Sequence, residues 1–181
     1  IEAGIIENVY SEANVATRLT GAGGIVGTVK GIGACTVQNI WFKGTVTAGS
    51  LVCGGIVGAS NGTQPKYITN CLNEGVIKGT QWVGGLVGNV VGETHITDCI
   101  NVGTVQGNTQ IGSALGRNAS TCSVEDVYAL GSTGIGTGSV TGTNPGENEI
   151  RIDDSFKVKF NLPIDESSFT SDSVKLINKD T

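Results

Sequence analysis

Gly54-Gly55-Ile56-Val57-Gly58 decides the fold, because the phrase does not stand alone. It occurs earlier as Gly23-Gly24-Ile25-Val26-Gly27 and later as Gly84-Gly85-Leu86-Val87-Gly88, then more faintly as Gly112-Ser113-Ala114-Leu115-Gly116. The intervals are 31, 30 and 28 residues. A fixed period in that range marks a stacked architecture, in which each repeat lays one coil on the last.

A second phrase keeps the same period. Asn8, Asn39, Asn70, Asp98 and Asp126 follow one another at intervals of 31, 31, 28 and 28. Two positions earlier stand Ile6, Val37, Ile68, Ile96 and Val124; one position later stand Val9, Ile40, Cys71, Cys99 and Val127. A third column, Val15, Val46, Ile77, Val105 and Thr133, lies seven positions after the Asn or Asp. β-Branched side chains suit a pleated, half-buried surface. Glycine clusters between the runs mark turns, and no helical period is sustained. These observations predict an all-β chain: a parallel β-solenoid (β-helix) of about four and a half coils over residues 6–135, with about three short strands per coil. Each strand would pair with its equivalent about 4.8 Å away, and Ile68 would stack directly between Val37 and Ile96. The glycines would supply positive φ at corners and room for close backbone approach. The Asn column would sit at a bend, where Asn tolerates the left-handed region.

Composition places a boundary. Of 29 glycines, all but Gly146 precede Thr143. Residues 1–143 hold eight acids and six bases, a net of −2, whereas residues 144–181 hold eight acids and five bases, a net of −3. The division expected is therefore a solenoid over 1–143 and a short β segment over 144–181. A total charge of −5 without a basic cluster argues against nucleic acid or an anionic membrane as partner. No stretch is long and apolar enough for direct insertion into a bilayer. Ile1 to Leu19 aligns with only the second half of a repeat, which reads as part of a longer chain with neighbouring domains.

Ile68-Thr69-Asn70-Cys71-Leu72-Asn73-Glu74-Gly75-Val76, followed by Val83-Gly84-Gly85-Leu86-Val87-Gly88, resembles the GLUG motif. That repeat belongs to bacterial surface proteins, among them adhesins and the non-catalytic region of IgA-specific metalloproteases. The resemblance covers roughly residues 1–142 and is weakest where Ser113 replaces the second glycine. It implies an extracellular bacterial protein and names no ligand. The tail, Thr143-Asn144-Pro145-Gly146, then Ile150 to Asp153 and Phe156 to Asp165, resembles the opening strands of a bacterial immunoglobulin-like domain. Alternation at Phe156, Val158 and Phe160 predicts a strand with one buried face. The tail is shorter than half of such a sandwich; it reads as a cap docked on the last coil, or else as a truncated domain.

The candidate chemistry is sparse. The glycine phrases recur without a following helix, so they read as structural parts of the repeat and not as phosphate loops. No Asp precedes Asp98, which removes a calcium-binding β-roll. The cysteines, at 35, 53, 71, 99 and 122, include no CxxC. They read as free buried thiols, with a Cys71–Cys99 bridge as the alternative. His95 is the only histidine and reads as a surface corner residue. Asp98 and Asp126 stand one coil apart and could share a cation or act as an acid pair, but they replace an Asn of the lower coils and read as structural. No catalytic residue, metal or cofactor is expected.

The candidate ligand-binding residues are aromatic: Trp82, Trp41, Tyr10 and Tyr128. Trp82 stands next to an inward column and is expected outside, where it could stack on a sugar ring or anchor a protein. Tyr10, Trp41, Leu72, Ile100 and Tyr128 form one column. A bend at the Asn favours the core for it; simple alternation would put it outside as a binding face. Three functions compete: a binding module recognising a host or matrix protein or a glycan, a structural spacer, and a polysaccharide-cleaving enzyme. The enzyme requires convergent acids and a base in a groove, which the scattered acids do not offer.

Overall fold

Short β-branched runs broken by glycine and polar turns leave no length for a helix, and the described residues contain only strands and turns. The computed structural model describes residues 1–142 apart from 19–20, 50 and 131–132. The proposed immunoglobulin-like tail over 144–181 lies outside these residues.

The chain winds through four complete coils and begins a fifth. The first coil comprises β1 (Gly4–Ser11), β2 (Asn14–Thr17), β3 (Ala22–Gly23) and β4 (Val26–Val29). The second comprises β5 (Cys35–Phe42), β6 (Thr45–Ala48), β7 (Cys53–Gly54) and β8 (Val57–Ser60). The third comprises β9 (Lys66–Asn73), β10 (Val76–Lys78), β11 (Gln81–Gly84) and β12 (Val87–Val90). The fourth comprises β13 (Thr94–Asn101), β14 (Thr104–Gln106), β15 (Thr109–Gly112) and β16 (Leu115–Asn118). β17 (Cys122–Ala129) opens the fifth, and β18 (Thr141–Gly142) pairs with it.

Equivalent strands stack in parallel into four sheets. Sheet 1 holds the long strands in the order β1-β5-β9-β13-β17-β18; sheets 2, 3 and 4 each contain the four equivalent short strands. Ile68 pairs with Val37 below and Ile96 above, so the predicted register holds.

The strand number differs from the expected three, because the glycine phrase is itself a corner. A Cβ on Gly54 would lie 2.0 Å from the Val57 carbonyl oxygen, and one on Gly55 would lie 2.0 Å from that of Gly85. Bare backbone alone can turn there, and Cys53–Gly54 and Val57–Ser60 are separate strands on its two sides. The pair works through close approach. Positive φ belongs to other glycines, such as Gly31 and Gly62.

Inside sit Val37, Ile40, Ile56, Val57, Ile68, Ile77, Leu86 and Ile96, all buried. Each such side chain stabilises by roughly 1.5–3 kcal/mol. In each long strand the Asn or Asp adopts φ between 50° and 57°, from Asn8 to Asp126. This left-handed residue is a bulge: in β5, Gln38 and Asn39 both turn away from the core before Ile40 returns to it. Asn39 donates to Asn8 Oδ1 (3.0 Å) and Asn70 to Asn39 Oδ1 (2.8 Å), forming an external amide ladder.

Candidate functional site: the outer face of the long-strand sheet

The bulge sets which side chains sheet 1 presents. Alternation breaks before Ile40, not after it, so Ile40 points inward and the next position points out. Tyr10 is 54% exposed, Trp41 43% and Ile100 38%, with Leu72 and Tyr128 half-buried. The expected core placement of this column is therefore corrected. Tyr10, Trp41, Leu72, Ile100 and Tyr128 pair in sequence up the sheet as one outer stripe.

The lower end of the stripe is held in place. The Tyr10 and Trp41 rings lie 4.9 Å apart, tilted by 59°. Trp41 Nε1 donates to Glu74 Oε2 at 2.7 Å, and Tyr10 Oη donates to Glu12. Lys43 Nζ stands 6.0 Å from the Trp41 ring centroid and 3.9 Å from Glu74 Oε2. The hydrogen bond to Glu12 is the main cause that raises the Tyr10 phenol above its ordinary pKa, followed by partial loss of solvent and the charges of Glu12 and Glu74.

A second aromatic pair, absent from the sequence reading, lies further along the same face. Tyr67 and His95 stack with centroids 5.2 Å apart and planes within 16°. They occupy paired positions of β9 and β13, so His95 is a strand residue and not the corner residue expected. Its Nδ1 meets Ser123 Oγ at 2.7 Å and its Nε2 meets Glu93 Oε1 at 3.2 Å. Tyr67 and His95 share no repeat signature with their column, which holds Ile5, Thr36 and Ser123 elsewhere. The predicted stacking of Ile68 on Ile96 already sets them side by side one position earlier, and that register was the signal for the pair.

Trp82 is half-buried and not freely outward. Its Nε1 donates to Gln110 Oε1, and the Arg117 guanidinium lies 4.6 Å from its ring centroid. Asp98 and Asp126 are exposed in the bulge column, above the Asn ladder. All five cysteines are free and buried. Burial pushes the thiols of Cys53 and Cys122 up to about 12 and raises that of Cys99 well above its usual value. Among the described residues no three His, Cys, Asp or Glu side chains gather as metal donors.

Two buried polar features were also not read from sequence. Lys66 is 1% exposed, with Nζ donating to the Gly62 carbonyl at 2.9 Å. Desolvation lowers its pKa, against the raising influence of Cys35 and Glu93. Asn73 and Asn101 are fully buried above Phe42 in one column and serve as internal ties. A cavity of about 460 Å³ lies near the upper end of the stack, lined by Val105, Thr109, Gln110, Ile111, Ser113 and Leu130 among others. No family model, curated protein or solved structure matches the chain.

Proposed function

We propose that the chain is a non-catalytic binding module of a bacterial extracellular surface protein, and that its partner meets the outer face of sheet 1. The observation that carries this reading is the outer stripe Tyr10–Trp41–Leu72–Ile100–Tyr128 of a parallel sheet, with Tyr10, Trp41 and Ile100 exposed and Leu72 and Tyr128 half-buried. Large rings at a contact surface combine apolar area with low side-chain entropy, and aromatic residues dominate binding energy at interfaces. Tyr10 and Trp41 are already ordered by Glu12 and Glu74, which lowers the ordering cost of association. A spacer would need only polar outer faces. The cell-surface setting rests on the resemblance of the repeats to the GLUG motif.

The charge of the face narrows the partner. Glu7, Glu12, Glu74, Asp98, Glu125 and Asp126 lie on or beside it, with Lys43 as the neighbouring cation. A polyanion would be repelled; a matrix or host protein, or a glycan without much negative charge, fits. One module offers modest area, and repeated copies on a surface would add avidity.

The test is an array of glycans and matrix proteins probed with the wild type, Trp41→Ala and Tyr10→Ala. A hit should bind the Trp41 variant at least about tenfold more weakly, equivalent to about 1.4 kcal/mol, at an unchanged melting temperature. Equal affinity of wild type and both variants would remove sheet 1 as the contact face.

A further inference from the structure

The outer corner between sheets 3 and 4 carries a second constellation, independent of the sheet 1 face. Two columns meet there. One contains Gly21, Val52, Trp82 and Gln110, each immediately before a residue of the paired ladder Ala22, Cys53, Val83 and Ile111. The other contains Thr28, Ala59, Asn89 and Arg117, paired in that order. A Cβ on Gly21 would lie 3.1 Å from Thr28 Oγ1, and Arg117 lies over the Trp82 ring, so the columns touch across the corner. In the two lower coils the corner holds Gly21 with Thr28 and Val52 with Ala59. In the two upper coils it holds a ring, two amides and a guanidinium.

Three observations give the upper corner the character of a site. Asn89 is 6% exposed, and its Oδ1 is buried without a donor. Native interiors leave few carbonyl groups in that state. Arg117 pairs with no carboxylate among the described residues; the indole beneath it is its contact. Gln110 Oε1 accepts from both Trp82 Nε1 and Gln81 Nε2, the latter at 2.6 Å, so its own amide N–H groups remain to donate. Trp82 and Gln110 are also held at φ 52° and 54°, where bulky residues persist only under constraint from their surroundings.

Charge distribution indicates the sign of the ligand. The eight acids before residue 143 all lie in sheet 1 strands or in the turns flanking them. No strand of sheets 2, 3 or 4 contains Asp or Glu, whereas Lys78 and Arg117 are found there. An anion meets least repulsion on that side.

We infer that Trp82, Asn89, Gln110 and Arg117 form a binding site for a carboxylate-bearing sugar of the uronic acid class. The carboxylate accepts from the Arg117 fork and the Gln110 amide, the C–H face of the ring packs on the indole, and a sugar hydroxyl donates to Asn89 Oδ1. Arg117 slides from the ring face toward the carboxylate as the sugar takes its place. A bare carboxylate would use Arg117 and Gln110 alone, and a neutral sugar would use Trp82 and Asn89 alone; the combination selects a molecule with both parts.

The full chain carries two tryptophans, so Trp41→Phe leaves Trp82 as the sole indole reporter. Titration of that protein with galacturonic acid oligosaccharides should change its emission saturably. Neutral galactose oligosaccharides should bind at least tenfold more weakly, and acetate at matched concentration should not compete. Arg117→Gln, Asn89→Ala and Trp82→Gly, followed by calorimetry, should each weaken uronate binding tenfold or more. The last two install residues that the lower coils already carry, Ala59 in one column and Gly21, itself at positive φ, in the other; an unchanged melting temperature checks that the fold is kept. No response to uronates, equal affinity for the neutral oligosaccharides, full competition by acetate, or folded variants that bind like the wild type would each overturn the assignment.

Discussion

Asn73 replaces with hydrogen bonds what Phe42 supplies by volume one coil below. Its Nδ2 donates to the Gly85 carbonyl (2.8 Å) and to Asn101 Oδ1 (2.7 Å), and its Oδ1 accepts from the Gly75 N–H (2.9 Å). Asn73→Ala leaves several buried groups unsatisfied and opens a void, and should destabilise by about 3 kcal/mol in chemical denaturation. Gly55 lies against this amide: a Cβ there would sit 2.6 Å from Asn73 Nδ2 as well as against the Gly85 carbonyl. Gly55→Val should therefore cost more than about 1 kcal/mol, read as a lower melting temperature. The buried thiols set the alkaline limit. Cys53 and Cys122 have folded values raised to about 12 from 9.0, so their contribution is complete below pH 9 and is lost as pH rises toward 12, a few kcal/mol each at most. Lys66 acts in the opposite sense: its folded pKa lies below 10.5, so stability rises with pH through the window ending there. Cys99 is raised as well, so three thiols stand against one amine and denaturation midpoints should fall above pH 9. The double variant Cys53→Ala, Cys122→Ala should flatten that fall.

At the scale of the strand and the coil, register can be edited in whole periods. Asn73 pairs with Asn101, so deleting residues 74–101 joins two equivalent points and removes one coil of 28 residues. That protein should keep a cooperative β-type circular dichroism transition at a lower melting temperature, because each coil contacts only its neighbours. Deleting residues 74–102 instead shifts every following strand by one position and turns its apolar set outward; a folded product would contradict the coil alignment. The same in-register stacking explains what the sequence disclosed. Ile68 between Val37 and Ile96 was legible because parallel ladders write one structural position at a fixed interval. The strand count was not, since a backbone turn at Gly54-Gly55 leaves no break in the apolar pattern. Nor was the side taken by Tyr10 and Trp41: one left-handed residue reverses parity, and both parities agree with the same letters. Trp82 was legible as a candidate, but its contact with Arg117 joins two residues 35 positions apart in the chain, with no shared motif to announce it.

For the molecule as a whole, acids gather along sheet 1 and its flanking turns while sheets 2 to 4 carry none. The solenoid thus has chemically unlike sides running the length of the stack, and partners of different charge can meet different sides of it. Stacking also gives the chain a mechanical character. A folded coil adds about 4.8 Å to the height of the stack, whereas its 28–31 residues, pulled straight, reach about 100 Å. Because every complete coil is secured by the same four ladders, tension applied to the two ends of the stack should peel coils in succession. Single-molecule pulling should record a series of nearly equal lengthening steps of about 100 Å, and one abrupt release of the whole stack would refute it. Under flow, such a chain would yield one coil at a time and hold its remaining coils intact, so that each loss of a turn slackens the load on whatever it grips.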